Sequence, residues 1–189
     1  MFDFWFDFSS PFAYLASTQV EAVAARTGVP VRWRPFLLGA LFRAVGQVDV
    51  PIHAMPQAKQ RYIFADLQRF ADLQGVPLTW PSDFPLRTLL PLRAFLAHPE
   101  PIPFAHRVFA AAWGNGRNIA EPAVLLECGA TEEVLATDRK QALIDSTAAA
   151  VAAGVFGAPA FVVRGQWLFW GNDRLDQVER CLRGWDPPG

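Results

Sequence analysis

Apolar and acidic side chains alternate near the start of the chain, with Phe2, Phe4, Phe6 and Phe8 on one face and Asp3 and Asp7 on the other. A period of two predicts a strand over residues 2–8. Trp5 interrupts the polar face, so both faces are expected to be covered, as in a central strand. Ser10-Pro11 follows, a pair suited to the N-cap and first position of a helix. Phe12, Leu15, Ala16, Val20 and Val23 then form one apolar stripe that carries the helix through Arg26 to a stop at Gly28. Residues 29–36 predict a second strand, completing a β-α-β unit with parallel strands.

The pattern changes after Leu37. Helical periodicity predicts helices over residues 56–73, 86–97, 104–113, 123–128 and 138–153, separated by Pro and Gly clusters. Strands return as two short apolar runs, Ala160–Val163 and Trp167–Trp170, joined by Arg164-Gly165-Gln166, which predicts a hairpin. Asn172 or Asp173 is expected to cap a final helix over residues 174–182. This order predicts an α/β fold: a thioredoxin-like sheet from residues 1–38 and 154–189, interrupted by a large all-helical insertion over 39–153.

Composition narrows the functional classes. The chain has 189 residues, 52% of them hydrophobic and 19% charged, enough for a substantial core. The net charge of −1, with no basic run, argues against a nucleic-acid or anionic-membrane partner. No apolar run approaches the ~20 residues of a membrane span. Met1-Phe2-Asp3-Phe4-Trp5 has no basic region ahead of its apolar residues and does not read as a signal peptide. Cys128 and Cys181 form no C-x-x-C and are expected to be buried free thiols in a reducing, cytoplasmic setting. His53, His98 and His106 lack metal-ligand spacing, so no metal is expected; His98, in a Pro-rich loop, is expected to be solvated and His106 structural.

Three segments carry candidate chemistry. Ser10 at a helix start caps that helix and is placed to hydrogen-bond an anion there. A thiolate at such a position has a lowered pKa, but no cysteine occupies it, so the thiol would have to come from a cosubstrate. Ala158-Pro159 is a candidate cis peptide, with the Ala158 N–H and C=O free to pair with an extended peptide. Gly171-Asn172-Asp173-Arg174 offers a carboxylate and N–H groups for an α-amino acid head group, beside its plainer reading as a cap.

Asp7-Phe8-Ser9-Ser10-Pro11-Phe12-Ala13-Tyr14-Leu15, Gly154-Val155-Phe156-Gly157-Ala158-Pro159 and Phe169-Trp170-Gly171-Asn172-Asp173-Arg174-Leu175 together resemble the 2-hydroxychromene-2-carboxylate isomerases. These are grouped with the kappa-class glutathione transferases and the DsbA-like thioredoxin superfamily. The resemblance extends to residues 65–70 and 113–116. It implies glutathione as cofactor, a small aromatic substrate and a homodimer. It implies Ser10 as the residue that activates the glutathione sulfur. Ala158, before the cis Pro159, would hold the cysteinyl backbone, and Asn172 with Asp173 the γ-glutamyl end. Lys59 would meet the glycyl carboxylate, with Gln47 or His53 standing for an Asn of the family. Phe12, Tyr62 and Trp113 are expected to line an apolar pocket. The implied reaction is reversible thiolate addition to a double bond, with rotation about the resulting single bond. A kappa-like transferase or peroxidase would use the same site on another electrophile, and a non-catalytic binding module would keep the cleft alone. A disulfide oxidoreductase is disfavoured, because Ser10 stands where its reactive Cys is needed.

Overall fold

The computed structural model describes residues 1–48 and 50–188; Asp49, in the 46–53 loop, and Gly189, the last residue of the 154–189 unit, lie outside the described residues. In chain order the elements begin with β1 (Phe2–Phe6), α1 (Pro11–Ser17), α2 (Val20–Thr27), β2 (Val31–Pro35) and α3 (Leu38–Ala44). They continue with α4 (Gln57–Gln74), α5 (Leu89–Ala97), α6 (Pro101–Phe109), α7 (Pro122–Glu127), α8 (Glu132–Ala136) and α9 (Lys140–Ala152). β3 (Ala160–Val163), β4 (Trp167–Trp170) and α10 (Leu175–Leu182) close the chain. The sheet order is β2-β1-β3-β4, with β1 parallel to β2 and antiparallel to β3, and β3 antiparallel to β4. This is the expected thioredoxin-like sheet with its helical segment.

β1 is buried on both faces, as Trp5 predicts. Phe2, Phe4 and Phe6 face one core, and Trp5 joins Phe36, Leu41 and Ala160 on the other side. The register sets Phe4 opposite Trp33 and Phe161, whose ring centroids lie 4.9 and 5.4 Å away. The helical segment shares this core. Phe95 of α5 and Phe109 of α6 lie 5.2 and 5.8 Å from Phe6. Phe109 also meets Phe8 at 4.8 Å. After Phe109 the chain makes a π-helical turn, Ala110–Gly114, which carries Trp113 inward so that its indole N–H donates to the Phe8 carbonyl at 2.8 Å.

Local chemistry explains where elements differ from expectation. The first predicted helix is two helices. The Ser17 and Thr18 hydroxyls donate to the carbonyls of Tyr14 and Leu15 at 2.6 and 2.8 Å, back-bonding that bends or ends a helix. Neither Asn172 nor Asp173 caps α10. Both lie in a 3-10 turn, Asn172–Arg174, and Arg174 precedes α10 without a side-chain cap. His98 is not simply solvated: its ring stacks on Phe104 at 4.7 Å, and its Nε2 meets the Gly129 carbonyl at 3.0 Å. His106 pairs with Glu21 at 2.7 Å. Cys128 and Cys181 are free and buried, and burial raises both thiol pKa values. No described helix is long and apolar enough to cross a membrane.

Candidate active site

The site gathers where β1 hands over to α1, opposite the turn before β3. Ser10 has extended backbone, φ −97° and ψ 116°, and Pro11 begins α1 behind it. The Ser10 Oγ accepts the Ala13 N–H at 3.1 Å and donates to the Ala158 carbonyl at 2.9 Å. Its hydroxyl therefore ties two segments 148 positions apart. The Ala158–Pro159 bond is cis, as is Phe84–Pro85. The Ala158 N–H has no hydrogen-bond partner among the described residues. Its C=O, expected to be free, is occupied by Ser10.

Asp7 braces this junction from below. It is 1% exposed, and its carboxylate accepts the Ser9 N–H at 2.9 Å and the Leu38 N–H at 2.7 Å. Burial raises its pKa above the usual carboxylate range, while these hydrogen bonds and one from Thr88 oppose the shift. The β1–α1 loop and the start of α3, which both contribute to the cleft wall, are thus held by one side chain.

Two cavities meet at Ala158. One, of about 280 Å³, is walled by apolar groups from every side: Phe12 from α1, Leu38 and Phe42 from α3, Ile63 and Leu67 from α4, and Trp80, Phe156 and Trp170 from loops and β4. Ser9, Ser10 and Gln47 supply its few polar groups. Phe156 and Trp170 form the rim, 5.1 Å apart. Gly157 permits this closure, because a Cβ there would lie 2.6 Å from the Trp170 indole nitrogen. The second cavity, of about 220 Å³, shares Phe12, Ala158 and Trp170 with the first and continues to Asp66, Asn172, Asp173 and Arg174. Asn172 is 6% exposed and its Nδ2 is buried without a partner. Asp173 pairs with Arg174 at 2.7 Å. Gly171, at φ 114°, lets the chain turn between them, and a Cβ there would collide with the Asp173 carboxylate.

Ser10, Phe12, Ala158, Pro159, Asn172 and Asp173 all border these two cavities. Lys59 is exposed on the first turn of α4 and lines neither. Of the two alternatives in the 46–53 loop, Gln47 reaches the apolar cavity, whereas His53 is exposed in a 3-10 turn with its ring 6.1 Å from Phe84. Two expected lining residues lie elsewhere. Tyr62 is 60% exposed, and Trp113 is fully buried behind Trp80, which presents its own ring to the cavity 5.3 Å in front. Asp66 and Arg174 fall within segments that the sequence marks, without a role of their own there, and Trp80 falls outside them. Trp80 precedes Pro81 in a segment with neither helical nor strand periodicity. Among the described residues no group of acidic, His and Cys side chains could hold a metal.

Known proteins are similar to this chain in sequence and fold. The model of the DSBA-like thioredoxin domain matches residues 1–183. A 2-hydroxychromene-2-carboxylate isomerase of Pseudomonas putida is 33% identical over 192 residues, spanning 95% of this chain and 93% of that protein. Glutathione S-transferase kappa 1 of Caenorhabditis elegans is 26% identical over 206 residues, spanning 96% and 90%. A solved structure of a 2-hydroxychromene-2-carboxylate isomerase superposes with a TM-score of 0.83 at 30% identity, covering 96% of this chain and 94% of that one. The chain belongs to the DSBA-like thioredoxin family and, within it, groups with the 2-hydroxychromene-2-carboxylate isomerases.

Proposed function

We propose that the protein is a glutathione-dependent isomerase of 2-hydroxychromene-2-carboxylate or a similar aromatic-degradation intermediate. The observation that carries this reading is the meeting of two unlike compartments at Ala158, with the Ser10 hydroxyl at their junction. The polar compartment suits the charged end of a γ-glutamyl tripeptide. The orphaned Asn172 amide seeks an acceptor such as a carboxylate, and Asp66 and Asp173 offer acceptors for an ammonium. The unpartnered Ala158 N–H suits an extended backbone passing between the compartments. Asn172, Asp173 and Ala158 would hold glutathione, and Ser10 would receive its sulfur.

Glutathione, held there, would supply a thiolate for reversible addition to an activated double bond, which allows rotation before the thiolate leaves again. The chain supplies the setting. Ser10 Oγ accepts the Ala13 N–H, and its own proton, now donated to the Ala158 carbonyl, could turn to a sulfur placed beside it. A charge-assisted hydrogen bond of this kind is worth about 1.5–3 kcal/mol in favour of the anion. The aromatic and aliphatic walls exclude water and seat a planar ring. Cys128 and Cys181 do not compete, being buried with raised pKa values. Calorimetric titration with glutathione, paired with a turnover assay on 2-hydroxychromene-2-carboxylate, tests the proposal. Saturable binding and glutathione-dependent isomerisation are expected, and no heat of binding at millimolar glutathione would refute it. The kappa transferase relative supports a second reading at the same site, in which turnover of a chloro-nitrobenzene would exceed isomerisation.

A further inference from the structure

The apolar cavity beside Ser10 has no charged residue in its described wall. An anionic aromatic ligand seated there needs a counter-charge, because burying an unpaired carboxylate is costly. A neighbouring lobe of about 430 Å³ borders it, with Ser9, Leu38 and Phe42 lining both. Arg43 of α3 and Arg87 of the loop before α5 line this lobe. Its one carboxylate among the described lining residues, Asp7, is already engaged by the Ser9 and Leu38 N–H groups. Arg87 is exposed and has no partner among the described residues, whereas Arg43 has partners of its own.

We infer that this lobe receives the carboxylate of a planar aromatic substrate and that Arg87 is its specificity-determining residue. The inference rests on the proposed function for the placement of the ring. A guanidinium matches a carboxylate with two parallel N–H donors, and in a lobe open to solvent neither group is fully stripped of water. The pairing gives the site a means of rejecting neutral rings that the apolar cavity alone would accept.

The test uses 2-naphthoate and its neutral amide, 2-naphthamide, as probes, with binding read by tryptophan fluorescence. The wild-type protein binds the carboxylate about tenfold more tightly than the amide. Arg87→Gln abolishes that preference and leaves the amide affinity unchanged, and Arg87→Lys keeps part of it. A preference that survives in Arg87→Gln, or is absent from the wild type, overturns the inference. Glutathione titration of the same samples separates the two claims. A carboxylate preference without glutathione binding upholds the lobe and refutes the glutathione reading. Glutathione binding without the preference refutes the lobe alone.

Discussion

Burying an amide N–H without an acceptor costs about 1–3 kcal/mol, and Asn172 does so at the end of the polar cavity. A group held at such a cost in the ligand-free protein stands ready to be satisfied by a ligand. Asn172→Ala is therefore expected to leave the thermal midpoint of the ligand-free protein unchanged or slightly higher, while glutathione affinity falls about tenfold by calorimetry. A large loss of stability with intact affinity would assign Asn172 to the scaffold. At this scale the sequence was uneven. Ser-Pro announced the Ser10 cap, because the Ser hydroxyl and the Pro ring suit adjacent helix positions. Asn172 looked equally like a cap, and only the 3-10 turn that follows Gly171 turns it inward. Trp80 gave no signal, since its contribution to the cavity comes from a loop packed on Trp113.

Among elements, α2 and α10 are joined by one carboxylate. Glu179 on α10 accepts from Arg26 of α2 at 2.7 Å and from Arg183 at 2.9 Å, and these hydrogen bonds lower its pKa from 4.5 to about 2. A carboxylate whose pKa is depressed by folding contributes stability above its unfolded value. That contribution is lost as pH falls from about 4.5 towards about 2. Glu179→Gln is expected to lower stability at pH 7 by about 1 kcal/mol, given the exposure of its partners. In a chain of this size that is about 2–4 °C in thermal midpoint. The difference should close near pH 2, and a gap independent of pH would mean that packing, not charge, is at stake. The pattern of apolar positions found β1, β3, β4 and the long α4 readily. It merged α1 with α2, because the apolar stripe runs on through the turn that the Ser17 and Thr18 hydroxyls create. It missed α3, where Leu37, Leu38, Leu41 and Phe42 show no side-chain cap or polar face to mark a start.

Across the whole molecule the helical segment and the sheet share a core. Phe6 touches both Phe95 and Phe109, and Trp113 reaches back to the Phe8 carbonyl just before Ser9 and Ser10. The segment read from sequence as an insertion thus supports the β1–α1 loop from one side, while Asp7 supports it from the other. Ser10, on this supported loop, meets Ala158 of the turn before β3 where the apolar and polar cavities adjoin. The proposed work of this junction is to stabilise a thiolate brought by glutathione. It is tested most directly by titrating the ultraviolet absorbance of the thiolate in bound glutathione, in the wild type and in Ser10→Ala. The wild type should lower the pKa of the bound thiol below that of free glutathione. Ser10→Ala should return it by about 1–2 units, the equivalent of one charge-assisted hydrogen bond. A bound thiol whose pKa is the same in both proteins would rule out a role for Ser10 at the sulfur and leave it as a helix cap alone.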